Sequence, residues 1–262
     1  MHGNVKSADG VSIAYRVEGS GNPTLVFVHG WCCDKSYWDP QVSHFAEKYR
    51  AVAIDLAGHG ESGLKRDKWT VASFGEDVAA VVNHLAPAQV ILIGHSMMGA
   101  AVNFEAAQRI PSIVGIVAVD APLLSNRKAN QASLDQLAAL RSSPDDVAHN
   151  AMRKIVSGMF IEKSDPALVE RITSAMSSGP RNVREGTVEE FLIYDLGRAL
   201  EEVTVPVRGI SRDHPLDLEA IRQHCPSFQV EVMSGVGHFV MLEDPVTFNN
   251  LLEGIVQNTM DQ

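Results

Sequence analysis

The stretch Val90-Ile91-Leu92-Ile93-Gly94-His95-Ser96-Met97-Met98-Gly99 constrains the fold more than any other part of this 262-residue chain. Four consecutive apolar residues at 90–93 read as a strand buried on both faces, the kind found inside a parallel sheet. Gly94 permits a tight turn. Small residues then recur at Ala100, Ala101, Ala106 and Ala107, which reads as a closely packed helix. Ser96 falls at the turn itself. There a hydroxyl stands clear of both elements, and the helix N-terminus aims backbone N–H groups at whatever the hydroxyl attacks. The plainer role for the same residue is a helix cap.

The rest of the chain repeats this alternation. Apolar, β-branched runs predict strands at 24–28, 51–55, 113–119, 207–210 and 229–233. Helical spacing predicts helices at 39–48, 71–85 (closed by Pro87), 216–224 and from 242 onward, where Phe248, Leu251, Leu252 and Ile255 share a face. Asp9-Gly10 between alternating residues marks a hairpin across 5–17. Continuous apolar strands alternating with helices imply a mostly parallel sheet covered on both faces. Residues 122–202 contain no strand-like run, only helical patterns at 134–140, 148–160 and 168–176.

Two further segments sharpen the chemistry. Leu25-Val26-Phe27-Val28-His29-Gly30-Trp31 is a buried strand ending in His-Gly, and Ser234-Gly235-Val236-Gly237-His238-Phe239 holds a glycine-flanked histidine near the C-terminus. A serine, a downstream histidine and an upstream loop of backbone donors form the set that serine hydrolysis requires. His238 is the natural base, and its plainer role is a loop histidine. His95 reads as packing. His29 and His59, in glycine-rich turns, read as ties between loops.

With these residues in hand, the chain resembles the α/β-hydrolase superfamily over nearly its whole length. Asp55-Leu56-Ala57-Gly58-His59-Gly60-Glu61-Ser62 is similar to that family's D-x-x-G-x-G-x-S turn. The resemblance implies a mostly parallel eight-stranded sheet with helices on both faces. It also implies a core formed by residues 1–121 and 203–262, with a helical cap insertion at 122–202 over the serine. It makes Ser96 the nucleophile, His238 the base, and the N–H groups of Trp31 and Met97 the oxyanion hole. The family turn reads G-x-S-x-G, and here Met98 occupies the last position, with Gly99 one step later. Methionine is adaptable enough to be accommodated there.

Two residues compete as the acid. Most of the family takes it from the site of Asp213, but the loop Ser211-Arg212-Asp213-His214-Pro215 is short, and Arg212 and His214 are placed to occupy that carboxylate. Asp120 matches a minority that includes the cofactor-independent quinaldine dioxygenases, which share Gly30-Trp31-Cys32. The balance favours Asp120.

The resulting expectation is a carboxylic ester hydrolase for small to medium apolar acyl groups. Met152, Met159, Phe160, Met176 and Phe191 are candidate pocket walls, with packing between helices as the alternative. The other expectations are a cofactor-free dioxygenase, weakened by Cys33 standing before Asp34 where those enzymes read G-W-C-H-D, a C–C bond hydrolase, and a small-molecule sensor. A C–C hydrolase would grip a carboxylate with insertion arginines, for which Arg153, Arg171 and Arg184 are available unless they face solvent.

Composition narrows the partners. Net charge is −10, which disfavours nucleic acid. No apolar run approaches the ~18–20 residues needed to span a bilayer, and the N-terminus lacks a signal pattern. Cys32, Cys33 and Cys225 form no even framework, which fits a reducing compartment. The expectation is a soluble cytoplasmic protein taking a small-molecule ester, with no cofactor and no metal.

Overall fold

β3 (Thr24–Val28), β5 (Val90–His95) and β6 (Ile113–Val119) lie at the centre of one eight-stranded sheet in a computed structural model that describes residues 1–124 and 127–261. Their flanks are β1 (His2–Lys6), β2 (Ser12–Glu18), β4 (Arg50–Ile54), β7 (Val207–Arg212) and β8 (Gln229–Met233), in the order β1-β2-β4-β3-β5-β6-β7-β8. The first two pairings are antiparallel and the remaining five parallel. β3 and β5 are buried at every position, whereas the edge strand β1 alternates between exposed and half-buried.

Strand periodicity divides the core in two. Val26, Val28, Leu92, Ile116 and Ala118 face the side covered by α2 (Val71–Leu85) and α3 (Ser96–Ala107). Leu25, Phe27, Ile91, Ile93, Val117 and Val119 face α1 (Asp39–Phe45) and α11 (Pro245–Met260). α2 begins where the Thr70 side chain accepts from the Ser73 amide. The expected C-terminal helix is broken in two. α10 (Val240–Glu243) stops at Asp244, whose side chain caps α11 by accepting from the Thr247 amide, with Pro245 at the first helical position.

Between β6 and β7 lie α4 (Arg127–Arg141), α5 (Asp145–Ser157), α6 (Pro166–Ser178), α7 (Arg181–Ile193) and α8 (Leu196–Glu201), followed after β7 by α9 (Leu218–His224). Residues 125 and 126 of the expected insertion lie outside the described residues. Helical patterns at 134–140, 148–160 and 168–176 correspond to α4, α5 and α6. α7 and α8 were not anticipated. α7 buries only Val183, Arg184, Thr187 and Phe191 and carries Gly186, so its apolar stripe is thin. α8 is a single short helix packed on α3 and α9. Among the described residues, no helix is long and apolar enough to cross a membrane.

Candidate active site

Ser96 opens α3 directly after β5 with φ at +61°, left-handed backbone that a non-glycine residue adopts at a cost. The surrounding contacts enforce it. A Cβ on Gly99 would stand 2.6 Å from the Gly94 carbonyl carbon and 3.0 Å from the Val28 oxygen. The close approach of helix to sheet therefore falls at Gly99. Met98 is left to bury its side chain, at 1% exposure, in the wall of the chamber that holds Ser96. The loop after β3 also comes close, since a Cβ on Gly30 would sit 2.8 Å from His95 Nδ1 and 3.3 Å from Ser96 Cβ.

That chamber, about 360 Å³, is lined by Trp31, Ser96, Met97, Met98, His238 and Arg212 from the sheet's carboxyl edge, and by Met159, Val188 and Phe191 from the helical segment above. Of the other expected wall residues, Met152 lines an adjoining cavity. Phe160 stacks on Phe239 at 5.1 Å, and Met176 is buried in the core. Met97 is in the first turn of α3, where backbone N–H groups have no intrahelical acceptor.

The two candidate acids part company. His238 Nδ1 lies 2.6 Å from Asp120 Oδ2. Asp213 is exposed, and among the described residues its carboxylate accepts only a long bond of 3.4 Å from Ser234 Oγ. Arg212 and His214, expected beside Asp213, instead approach Asp120, at 3.6 and 3.8 Å. The reason is strand geometry: β7 lies beside β6, so the residues ending β7 meet the residue ending β6. Asp120 Oδ1 also accepts from Ser211 Oγ at 3.1 Å and from the Arg212 amide at 3.0 Å. Burial pushes the Asp120 carboxyl up, but the His238 bond and charge and the Arg212 amide outweigh it and hold the group below the ordinary carboxylate range. Sequence reasoning missed Ser211; its place in the same loop as Arg212 was the available signal.

His238 is fixed through its backbone as well. Its amide donates to the Met159 carbonyl at 2.8 Å, and its carbonyl accepts from His95 Nε2 at 3.0 Å. Since a carbonyl only accepts, His95 carries its proton on Nε2. Burial, followed by the neighbouring His238 charge, lowers His95 to about 3. His29 does tie loops together, donating from Nδ1 to Gly30 O and accepting at Nε2 from the Leu56 amide. Burial lowers His29 to about 4 and His59 to about 3. Asp55 accepts from the Lys35 amide, Lys35 Nζ and the Glu61 amide, which secures the glycine-rich turn. The three cysteines are free thiols.

The arginines of the helical segment between β6 and β7 differ from one another. Arg153 pairs with Glu170 near the surface, and Arg171 lies 5.9 Å from the Tyr37 ring centroid. Arg184 is buried, at 8% exposure.

The chain belongs to the Alpha/beta hydrolase family, whose sequence model matches residues 25–251. It is similar to 3-oxoadipate enol-lactonase 2 of Acinetobacter baylyi, at 26% identity over 96% of this chain and 95% of that protein. It is also similar to the bifunctional esterase/perhydrolase DCH of Acinetobacter calcoaceticus, at 29% identity over 78% of this chain and 79% of that protein. The fold matches that of an esterase from Exiguobacterium antarcticum with a TM-score of 0.86 at 19% identity, covering 98% of this chain and 100% of that one. Family and relatives support hydrolase activity.

Proposed function

We propose that this protein is a serine carboxylic-ester hydrolase that cleaves small to medium apolar acyl esters through an acyl-enzyme. The observation that carries the reading is the 2.6 Å contact between His238 Nδ1 and Asp120, made by a histidine that lines one chamber with Ser96. With Nδ1 committed to the carboxylate, Nε2 is the nitrogen left to take the Ser96 proton. Ser96 Oγ attacks the acyl carbon, and the N–H groups of Trp31 and Met97 hold the oxyanion. His238 then returns the proton to the leaving alcohol. Water repeats the cycle on the acyl-enzyme and releases the acid. Asp120 holds the ring and stabilises the imidazolium that forms. The helical segment at 122–202 serves as the cap, contributing Met159, Val188 and Phe191 to the acyl wall. The activities named for the relatives, lactonase and esterase, agree, since a lactone is a cyclic ester.

The test is covalent labelling. A fluorophosphonate should add once to the wild type, and Ser96→Ala should abolish both labelling and ester turnover. Unchanged labelling in the variant would refute the assignment. A cofactor-free dioxygenase is the second reading, favoured by the use of Asp120 rather than Asp213 beside His238. It predicts oxygen uptake with a hydroxyquinolone that survives Ser96→Ala.

A further inference from the structure

Beside the Ser96 chamber lies a second cavity of about 280 Å³, lined by α4, α5 and α7. The two cavities share Trp31 and Val188 as walls. Most of the second lining is apolar, including Leu137, Leu140 and Met152, yet Arg184 is part of it. A guanidinium cannot shed its charge in a protein, so burying one is costly unless an anion answers it.

Arg66 shows the ordinary arrangement elsewhere in the molecule. Its side chain is 2% exposed and pairs with both Asp77 and Asp9. Arg184 has no such partner: among the described residues, no carboxylate lies within ion-pair distance of it. Glu185, which lines the same cavity, is taken up by Arg181 at 2.7 Å and Arg141 at 3.6 Å. Arg184 Nη1 donates to the carbonyls of Ser177 and Gly179, at 3.1 and 3.3 Å, which steadies the side chain without neutralising it. Nε and Nη2 have no protein acceptor among the described residues, and these two donors form the edge that grips a carboxylate bidentately. The backbone here is tied to the site as well, because Trp31 Nε1 donates to the Arg184 carbonyl at 2.9 Å.

We infer that the second cavity receives a carboxylate carried on the far end of the substrate's acyl chain, with Arg184 as its counter-ion. The inference rests on the ester-hydrolase reading for the chemistry at Ser96 and replaces its wholly apolar acyl chain with one that ends in an anion. The reacting ester sits at Ser96, an apolar stretch passes Trp31 and Val188, and the chain ends in an anion. The substrate class is then the half-ester of a dicarboxylic acid.

The experiment compares monomethyl esters of glutaric through suberic acid with the methyl esters of monocarboxylic acids of equal length, following acid release by pH-stat. At one chain length, wild-type kcat/KM should favour the half-ester by at least about tenfold, mostly through KM, as a charge-assisted hydrogen bond implies. Arg184→Met should collapse that ratio toward one, and Arg184→Lys should restore part of it. In a second arm, the free dicarboxylate of that length should raise the Tm of Ser96→Ala and fail to do so once Arg184→Met is added. A ratio of one or less at every length in the wild type overturns the inference. So does an Arg184→Met variant that lowers turnover of both ester series by the same factor, since that marks a purely structural arginine. Absence of turnover on every ester, together with Arg184-dependent stabilisation by the dicarboxylate, would leave the subsite standing and remove the hydrolase reading instead.

Discussion

At the sheet's carboxyl edge, backbone pairing sets the position of each candidate catalytic residue. Asp120 follows β6 and its amide donates to the Ile210 carbonyl at 2.8 Å, while His95, next to Ser96, is the last paired residue of β5. The helical segment above is held differently. Its ties to the edge are individual contacts, among them Met159 O on the His238 amide, Arg184 O on the Trp31 indole, Phe160 on Phe239, and Ser164 Oγ on the Glu243 carboxylate that also accepts from the Gly237 amide. The first region is over-determined and suits chemistry that tolerates little displacement. The second depends on particular contacts and can vary its walls without moving the serine. Damage to the edge should therefore appear in rate, and changes to the walls in selectivity.

The largest effect expected from this contrast is at the edge. Asp120→Asn keeps the size but removes the charge that steadies His238, and such a change costs about 10⁴ in a related triad, so a loss of at least about a hundredfold in turnover per folded molecule is expected. Asp213→Asn, altering an exposed side chain, should lose less than about tenfold. Circular dichroism on both variants checks the fold, and the reverse ranking would break the comparison.

A smaller effect is expected at Met98, which sits on the edge but faces the chamber. Met98→Ala should shift the preferred acyl length upward, changing the ratio of octanoate to butyrate turnover by about tenfold, the worth of one or two methylenes in an apolar pocket. An unchanged chain-length profile would show that the side chain does not bound the acyl site.

The smallest effect concerns acid stability of the edge. His29, His59 and His95 are neutral in the fold because burial depresses them to about 3–4. The unfolded chain binds protons at these residues near pH ~6.5. Between pH ~6.5 and ~4 the unfolded state therefore holds more protons, and stability falls as pH falls through that window while remaining complete above it. Replacing one of them, as in His59→Gln, should flatten the slope of urea-unfolding free energy by up to about 1.4 kcal/mol per pH unit. An unaltered slope would place the acid sensitivity elsewhere.

Legibility in the sequence follows the same division. β3, β6 and α2 are readable to the residue because their apolar runs or stripes are continuous and bounded by proline or a capping threonine. The Ser96 turn and the His238 loop announce themselves through flanking glycines. The meeting of His238 with Asp120 spans 118 residues, and it depends on which strand lies beside which, so local pattern cannot decide between two strand-end aspartates. The contacts from Met159 and Arg184 are made by main-chain carbonyls, which every residue possesses and which leave no mark in a sequence. α7 escaped notice because its buried face includes an arginine and a threonine.

The Met159 carbonyl on the His238 amide bears on how such a chain tolerates recombination. The side chain at 159 is open to drift, because the acceptor belongs to the backbone. The path of the chain between α5 and α6 is not, since one residue inserted or removed at 158–164 would carry the carbonyl away from the histidine loop. A segment transplanted from a relative should therefore be chosen for the length of this connection before its amino acids are considered.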